Sequence, residues 1–364
     1  MRIRKGCFCL LVTLFCGCAP SFAEPPSVTL SVLAQSPADP SPKPPTGYPA
    51  RPSTEAEYPT ATANELRTTP ADVPEPVLPV TLAFTGDIML GRSLAERIRS
   101  GGGDAIFASV EPVLQSSDLV VGNLECAIGE GGKRAPKAFT FLAPPQAAAL
   151  LFSAGFDLVS LANNHSMDYG LDVFDQTRAL LSENRIHFAG AGANAVEAHS
   201  PVVFSVGGWE IALLAYVEVP MEYSSQFDAR IWEAGPEKPG VAWAEDGKIQ
   251  EDLLATETAD FTIVLFHFGT EGSEMPDKRQ VQLARMAIDY GADLVVGTHP
   301  HVLQEMERYK DRWIFYSLGN FVFDGFEGKS NRSAILRTTL LPGRDPEYSL
   351  VELTIIGGIP VIGE

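Results

Sequence analysis

Six short apolar runs, at residues 80–84, 119–122, 158–162, 211–216, 261–266 and 294–297, alternate with segments of helical apolar spacing at 93–99, 145–154, 171–183 and 278–290. Runs of this length, bounded by Gly, Asn, Asp or Pro, read as buried strands. Parallel neighbours need a crossover connection, and that crossover is usually a helix. The alternation therefore predicts an α/β domain with a mainly parallel sheet covered on both faces. Ligands of such sheets gather beyond the carboxyl ends of the strands, so reactive residue types should follow the apolar runs.

They do. Asp87 follows the first run, in Thr85-Gly86-Asp87-Ile88-Met89-Leu90-Gly91-Arg92, and Glu125 follows the second, in Gly122-Asn123-Leu124-Glu125. The third leads into Asn163-Asn164-His165-Ser166-Met167-Asp168-Tyr169-Gly170, the fifth into His267-Phe268-Gly269-Thr270-Glu271 and the sixth into Thr298-His299-Pro300-His301. Of the six histidines in the chain, four (His165, His267, His299, His301) stand at these strand ends. Carboxylate, carboxamide and imidazole together suit divalent Zn, Mn, Fe or Ni without a thiolate. A metal site is expected here. His187 and His199 fall outside the pattern and read as structural, and Cys126 reads as packing. Arg92 and Lys137 are each able to hold an anionic group of a substrate or to be ordinary solvated charge; Asn320 either lines the cleft or caps a turn.

The rest of the chain is of another kind. A basic Met1-Arg2-Ile3-Arg4-Lys5, an apolar run at 6–17 and small residues form the layout of a secretory signal, the run being short of the ~20 residues of a membrane span. Ser21-Phe22-Ala23 suits signal peptidase, with Glu24 as the first mature residue. Phe15-Cys16-Gly17-Cys18 offers a competing route as a lipobox, and an uncleaved anchor is a third reading. Four of the five cysteines lie in this signal, which leaves the exported part no internal disulfide framework. Residues 24–79 hold 14 of the 28 prolines amid Ser, Thr and Ala, the composition of an extended linker. Residues 80–364 remain, enough for one α/β domain. With 27 basic against 46 acidic residues and a net charge of −19, the chain lacks the clustered Lys and Arg that nucleic acid or an anionic membrane surface requires.

The series G-D-I-M-L-G-R, G-N-L-E, A-N-N-H-S-M-D-Y-G, H-F-G-x-E, G-A-D-L-V-V-G-T-H-P-H-V and Y-S-L-G-N-F-V-F, spanning residues 81–324, resembles the CapA family of bacterial proteins linked to poly-γ-glutamate capsule synthesis. The resemblance implies a fold similar to the calcineurin-like metallophosphoesterases, a sheet sandwich flanked by helices with a two-metal centre. It implies Asp87, Glu125 as a bridging acid, Asn164, His267, His299 and His301 as metal ligands, and His165 as the group that assists the leaving atom. Met89 stands where the phosphoesterase pattern has a histidine ligand, so one or two divalent ions (Mn, Zn or Fe) are implied, the second held more weakly. Arg92 and Asn320 are then candidates for substrate contact. The implied activity is that of a metal-dependent hydrolase or transferase, with His165 acting as general acid or base near its ordinary titration range. The substrate would be an anionic polymer, a phosphoester or an amide. The rival expectation is a non-catalytic accessory subunit of a membrane synthase complex.

Overall fold

A computed structural model of the chain describes residues 76–222 and 224–363. The expected signal, both of its candidate processing sites and the expected linker up to residue 75 lie outside the described residues. The parallel part comes first. Strand β1 (Val80–Ile88) pairs with β2 (Leu119–Leu124), β2 with β3 (Leu158–Ser160) and β3 with β4 (His187–Ala189), all in parallel. The crossovers are made by α1 (Arg92–Arg99), α2 (Glu111–Gln115), α3 (Gln146–Ala154) and α4 (Leu171–Glu183).

After α5 (Ala195–His199) the chain builds a second sheet. Its strands are β5 (Val202–Val206), β6 (Trp209–Glu218), β7 (Phe261–Phe268), β8 (Leu294–Thr298), β9 (Met306–Tyr309) and β10 (Arg312–Phe315), in the spatial order β9-β10-β8-β7-β6-β5. Helices α6 (Asp246–Leu254) and α7 (Lys278–Asp289) precede β7 and β8. The chain then returns to the first sheet with β11 (Asn320–Val322), β12 (Arg332–Leu340), β13 (Glu347–Ile356) and β14 (Ile359–Ile362). Residues 80–84 of β1 pair antiparallel with β12, whereas Asp87 and Ile88 pair in parallel with β11.

One expectation is corrected. Among the described residues there are two large sheets, of eight and six strands, beside three two-stranded ones, rather than one sheet covered by helices on both faces. Along β6 and β7, Ile211, Leu213, Ala215, Ile263 and Leu265 enter the core shared with the first sheet. The alternate residues Leu214, Tyr216, Val264, Phe266 and Phe268 pack with Ile249 and Leu253 of α6 and Leu283 and Ala287 of α7. The period of two puts successive side chains on opposite faces, and both faces are apolar because one meets a sheet and the other a helix layer. Helices α1–α4 bury Leu94, Ile98, Leu114, Leu151 and Phe174 in the core of the first sheet. The result is the sheet sandwich flanked by helices that the family resemblance implies.

Backbone approach below the strand ends is closer than a side chain permits. A Cβ on Gly86 would stand 1.9 Å from the Gly319 carbonyl oxygen, and one on Gly297 2.1 Å from that of Tyr316. These two glycines let β1 and β8 come against their neighbours just before the chemically interesting residues. Among the described residues no helix is long and apolar enough to cross a membrane.

His199 proves structural, as expected. Its Nδ1 lies 2.7 Å from Asp252 Oδ2, which also accepts from Tyr216 Oη at 2.9 Å, while Lys248 Nζ donates to Oδ1 at 2.7 Å. Burial acts to raise the Asp252 carboxyl, but the hydrogen bonds from His199 and Lys248, and the His199 charge, outweigh it and hold the group below the usual carboxylate range. Asp252→Asn should therefore cost ~1.5–3 kcal/mol at neutral pH, the range for a hydrogen bond to a charged group. Because the folded value lies below the unfolded one near ~3.9, this contribution is complete above that pH and fades as pH falls through the folded value. Thermal melts of both proteins should show the gap at pH 7 and its narrowing in acid.

Candidate metal centre

The carboxyl ends of both sheets converge on one buried cluster. From the first sheet come Asp87 near the end of β1, Asn123 in β2, Glu125 just past it, and Asn163, Asn164 and His165 in the turn after β3. From the second come His267 in β7 and Thr298, His299 and His301 at and beyond the end of β8. Asp87 and Glu125 are fully buried, and each of the other residues is less than a tenth exposed. His299 and His301 have φ of 96° and 56°. Left-handed backbone at two bulky residues stores ~1–3 kcal/mol each, which persists only where surrounding contacts impose it.

Two sets of ligand-type atoms share Glu125. In the first, His267 Nε2 lies 2.9 Å from Asn164 Oδ1, 3.2 Å from His299 Nδ1 and 4.0 Å from Glu125 Oε1. In the second, His301 Nδ1 is 3.3 Å from Asp87 Oδ2 and its Nε2 is 3.7 Å from Glu125 Oε1. The triads Glu125–His267–His299 and Asp87–Glu125–His301 each bring three ligand atoms within 4.8 Å of one another, and so does Glu271–His299–His301.

These residues fit a divalent cation. Both Glu125 carboxylate oxygens are buried without a hydrogen-bond partner, a state that costs several kcal/mol unless a positive charge meets it. Burial, and next the charge of Asp87, push Glu125 well above the usual carboxylate range. Burial also acts to raise Asp87, but the hydrogen bond and charge of His301, then His267, hold it well below that range. Burial pushes His267 down to about 3 and His299 well below its ordinary value. Both imidazoles are thus neutral, as a metal ligand must be. Beside the cluster opens a cleft of about 430 Å³, lined among others by Phe139, Asn164, His165, Glu222, Glu271 and His299.

The model of the family described as "Bacterial capsule synthesis protein PGA_cap" matches residues 81–325. The chain belongs to that family. It is 33% identical over 286 residues to the PGA biosynthesis protein CapA of Bacillus subtilis (strain 168), covering 77% of this chain and 73% of the relative. It is 33% identical over 290 residues to the capsule biosynthesis protein CapA of Bacillus anthracis, covering 77% and 69%. A more distant relative, 27% identical over 242 residues and covering 64% of this chain and 63% of its own length, is named "Probable polyglutamine synthesis accessory protein" in Mycobacterium tuberculosis (strain CDC 1551 / Oshkosh).

Around the PGA_cap cluster lies a second set of groups, most of which carry no signal in a single sequence. His267 Nδ1 is held by Thr298 Oγ1 at 3.0 Å and Asn123 Nδ2 at 3.1 Å, and Asn123 also donates to Asp87 Oδ1 at 2.8 Å. Asn164 Nδ2 donates to Glu222 Oε1 at 3.0 Å, which aims its carbonyl oxygen at His267. His165 Nδ1 faces Asp168 Oδ2 at 2.8 Å. Lys137 is far from a solvated charge: its ammonium is buried, donating to the Asn164 carbonyl and paired with Asp168 at 2.8 Å and Glu222 at 2.5 Å. Such partners orient ligands and set tautomers. Asp168 and Glu271 lie inside the motifs A-N-N-H-S-M-D-Y-G and H-F-G-x-E, whereas Glu222 lies between motifs and carries no local signal.

Three expectations shift. Asn320 contacts His301, its Oδ1 2.9 Å from His301 Nδ1 and its Nδ2 donating to the Ser330 carbonyl at 3.0 Å, so it holds the His301 ring. Arg92 pairs with Asp324 at 3.5 Å and stacks over Phe141 at 4.5 Å, and Phe141 in turn stacks on His165 at 4.2 Å. His165 does not keep its ordinary titration range, because burial and the charge of Lys137 push it well below. Cys126 is the packing residue expected, its thiol pushed by burial up to about 12.

Two outcomes follow from the charges. Glu125→Gln replaces a buried carboxyl whose ionisation burial and Asp87 oppose, and should leave the metal-free protein at least as stable as the wild type, while abolishing any rise of the thermal midpoint on adding Mn²⁺ or Zn²⁺. Lys137→Met strands Asp168 and Glu222 and should destabilise by ~3–5 kcal/mol, the range for breaking a buried pair; urea titration measures it.

Proposed function

We propose that this chain is an exported, metal-dependent hydrolase or transferase that works in assembling a poly-γ-glutamate capsule or related envelope polymer, on a phosphoester or amide bond. The observation that carries the reading is the fully buried Glu125, without a hydrogen-bond partner and shared by two sets of imidazole, amide and carboxylate groups. Polymer assembly is supported by the family and by the names of the Bacillus relatives. Export is supported by the basic, apolar, small-residue pattern of residues 1–23.

Asp87, Glu125, Asn164, His267, His299 and His301 would hold the ion or ions, and their nitrogen and oxygen donors suit Mn, Zn or Fe. A divalent ion there supplies Lewis acidity toward water and a substrate oxygen. His165 moves the proton. With its Nδ1–H donated to Asp168, its Nε2 lone pair lies on the side of Glu125, 3.7 Å from Oε1. Neutral at pH 7, Nε2 takes a proton from the attacking water and passes it to the leaving oxygen or nitrogen, as the water oxygen bonds to phosphorus or acyl carbon. Lys137 and Glu222 keep the Asn164–His165 turn in register for this step. The net charge of −19 opposes lasting retention of a polyanion, which favours cutting or passing it on over storage.

A second reading, a non-catalytic accessory subunit of a membrane synthase complex, is favoured by Met89. Its Sδ accepts from the Gly91 N–H at 3.1 Å, in the position where the phosphoesterase pattern has a ligand. The name of the Mycobacterium relative points the same way.

Metal content after purification, thermal midpoints with added ions, and assays on phosphodiesters and γ-glutamyl peptides separate the two. The enzyme should carry a divalent ion, and His165→Ala should lower kcat ~10²–10⁴-fold with metal content unchanged. If no ion co-purifies and none raises the midpoint, the accessory reading stands and the enzymatic one falls. The mass of the mature N-terminus decides between Glu24, lipidated Cys18 and an uncleaved anchor.

A further inference from the structure

Glu271 has a place in the cluster that no motif role assigns. Strand β7 ends at Phe268, and Gly269, with φ of 100°, turns the chain toward the cleft; a Cβ there would stand 2.4 Å from Gln280 Cδ. The next turn is tied to the histidine loop, because the Gly272 N–H donates to the Pro300 carbonyl at 2.8 Å. Gln304 fastens it from below through the Ser273 carbonyl at 2.9 Å. The Glu271 carboxylate thus comes within 4.8 Å of ligand atoms of both His299 and His301. It lines the cleft, is exposed, and makes no hydrogen bond or ion pair among the described residues. Each of its two histidine neighbours also shares a triad with the unpartnered Glu125.

The set Asp87–Glu125–His301 offers only three protein ligands, and the fully buried Met89 has its sulfur engaged by Gly91. An ion of this kind takes about four to six ligands, so beyond these three it has room for water and for one further side chain. We infer that Glu271 supplies a cleft-facing carboxylate ligand to the ion at His301, in place of the imidazole that Met89 does not provide. The inference rests on the metal-centre reading above. A ligand carried by an exposed turn, rather than a buried strand end, sits where an incoming anionic substrate group would compete with it.

The test is Mn²⁺ binding to metal-stripped full-length protein, read by calorimetry and by ions counted per chain after gel filtration. The proteins are the wild type, Glu271→Gln and the neighbouring control Glu274→Gln. Glu271→Gln should lose one ion, or bind it at least about tenfold more weakly, the lower end of what even an outer partner of a metal costs. Glu274→Gln should match the wild type, since its carboxylate faces Lys329 at 3.4 Å. Equal stoichiometry and affinity in the wild type and Glu271→Gln overturn the assignment while leaving the metal centre standing. A wild type that binds no Mn²⁺ overturns the metal centre itself and Glu271 with it.

Discussion

A carboxylate sealed from water with no donor in reach is unstable by itself, and the architecture is arranged around one. Glu125 is fully buried with both oxygens unpartnered. Its neighbours do not relieve it: Asp87 is a second negative charge, and His267 and His299 are held neutral by their own burial. Continued burial of this group demands either a proton or a cation. Asp87 is an acceptor for such a proton, while the imidazole nitrogens, the Asn164 carbonyl oxygen and Asp87 together offer donors that could hold a cation.

Holding that cluster together is the task of the two sheets. One sheet alone delivers Asp87, Glu125 and the Asn164–His165 turn, the other alone His267, His299 and His301. Neither makes a site without the other. The apolar layer between them, built from alternate residues of β6, β7 and β8 against β1 and β2, is therefore also what fixes distances between ligands. Gly86 and Gly297 serve the same end at the backbone, since a methyl group at either would collide with a carbonyl oxygen and push the strand ends apart. The placement of the cluster's side chains relative to one another is thus an outcome of core packing, and core packing tolerates little displacement.

What a single sequence displays of this is the part carried by period and by position. The six apolar runs are all strands and the four helical segments all helices, with Leu171–Glu183 unchanged at both ends. The six expected ligands meet in one place because strand ends are readable from where an apolar run stops. The second sheet was hidden by the same signal that revealed the strands. A strand such as Phe261–Phe268, buried along its whole length, reads identically whether its far face meets helices or another sheet. The resemblance to a known family, not the pattern, supplied the sandwich. The supporting groups were hidden for a different reason: Lys137, Glu222 and Asn123 act through contacts 85, 58 and 144 residues away in sequence, and ordinary polar residues carry no local mark of such partners.

The supporting groups also weigh on what the centre is for. Beyond the groups that could hold an ion, this chain buries a lysine between two carboxylates to steady one turn. A buried pair of that kind contributes little net stability compared with an apolar replacement. The turn it steadies carries Asn164, which points at His267, and His165, which no ligand triad includes. His165 instead has Asp168 on one nitrogen, Phe141 stacked on its face and Glu125 3.7 Å from its other nitrogen, and it lines the cleft. An imidazole held this way beside residues that could take a cation is what the proposed proton transfer requires, and the packing of the core alone does not call for it.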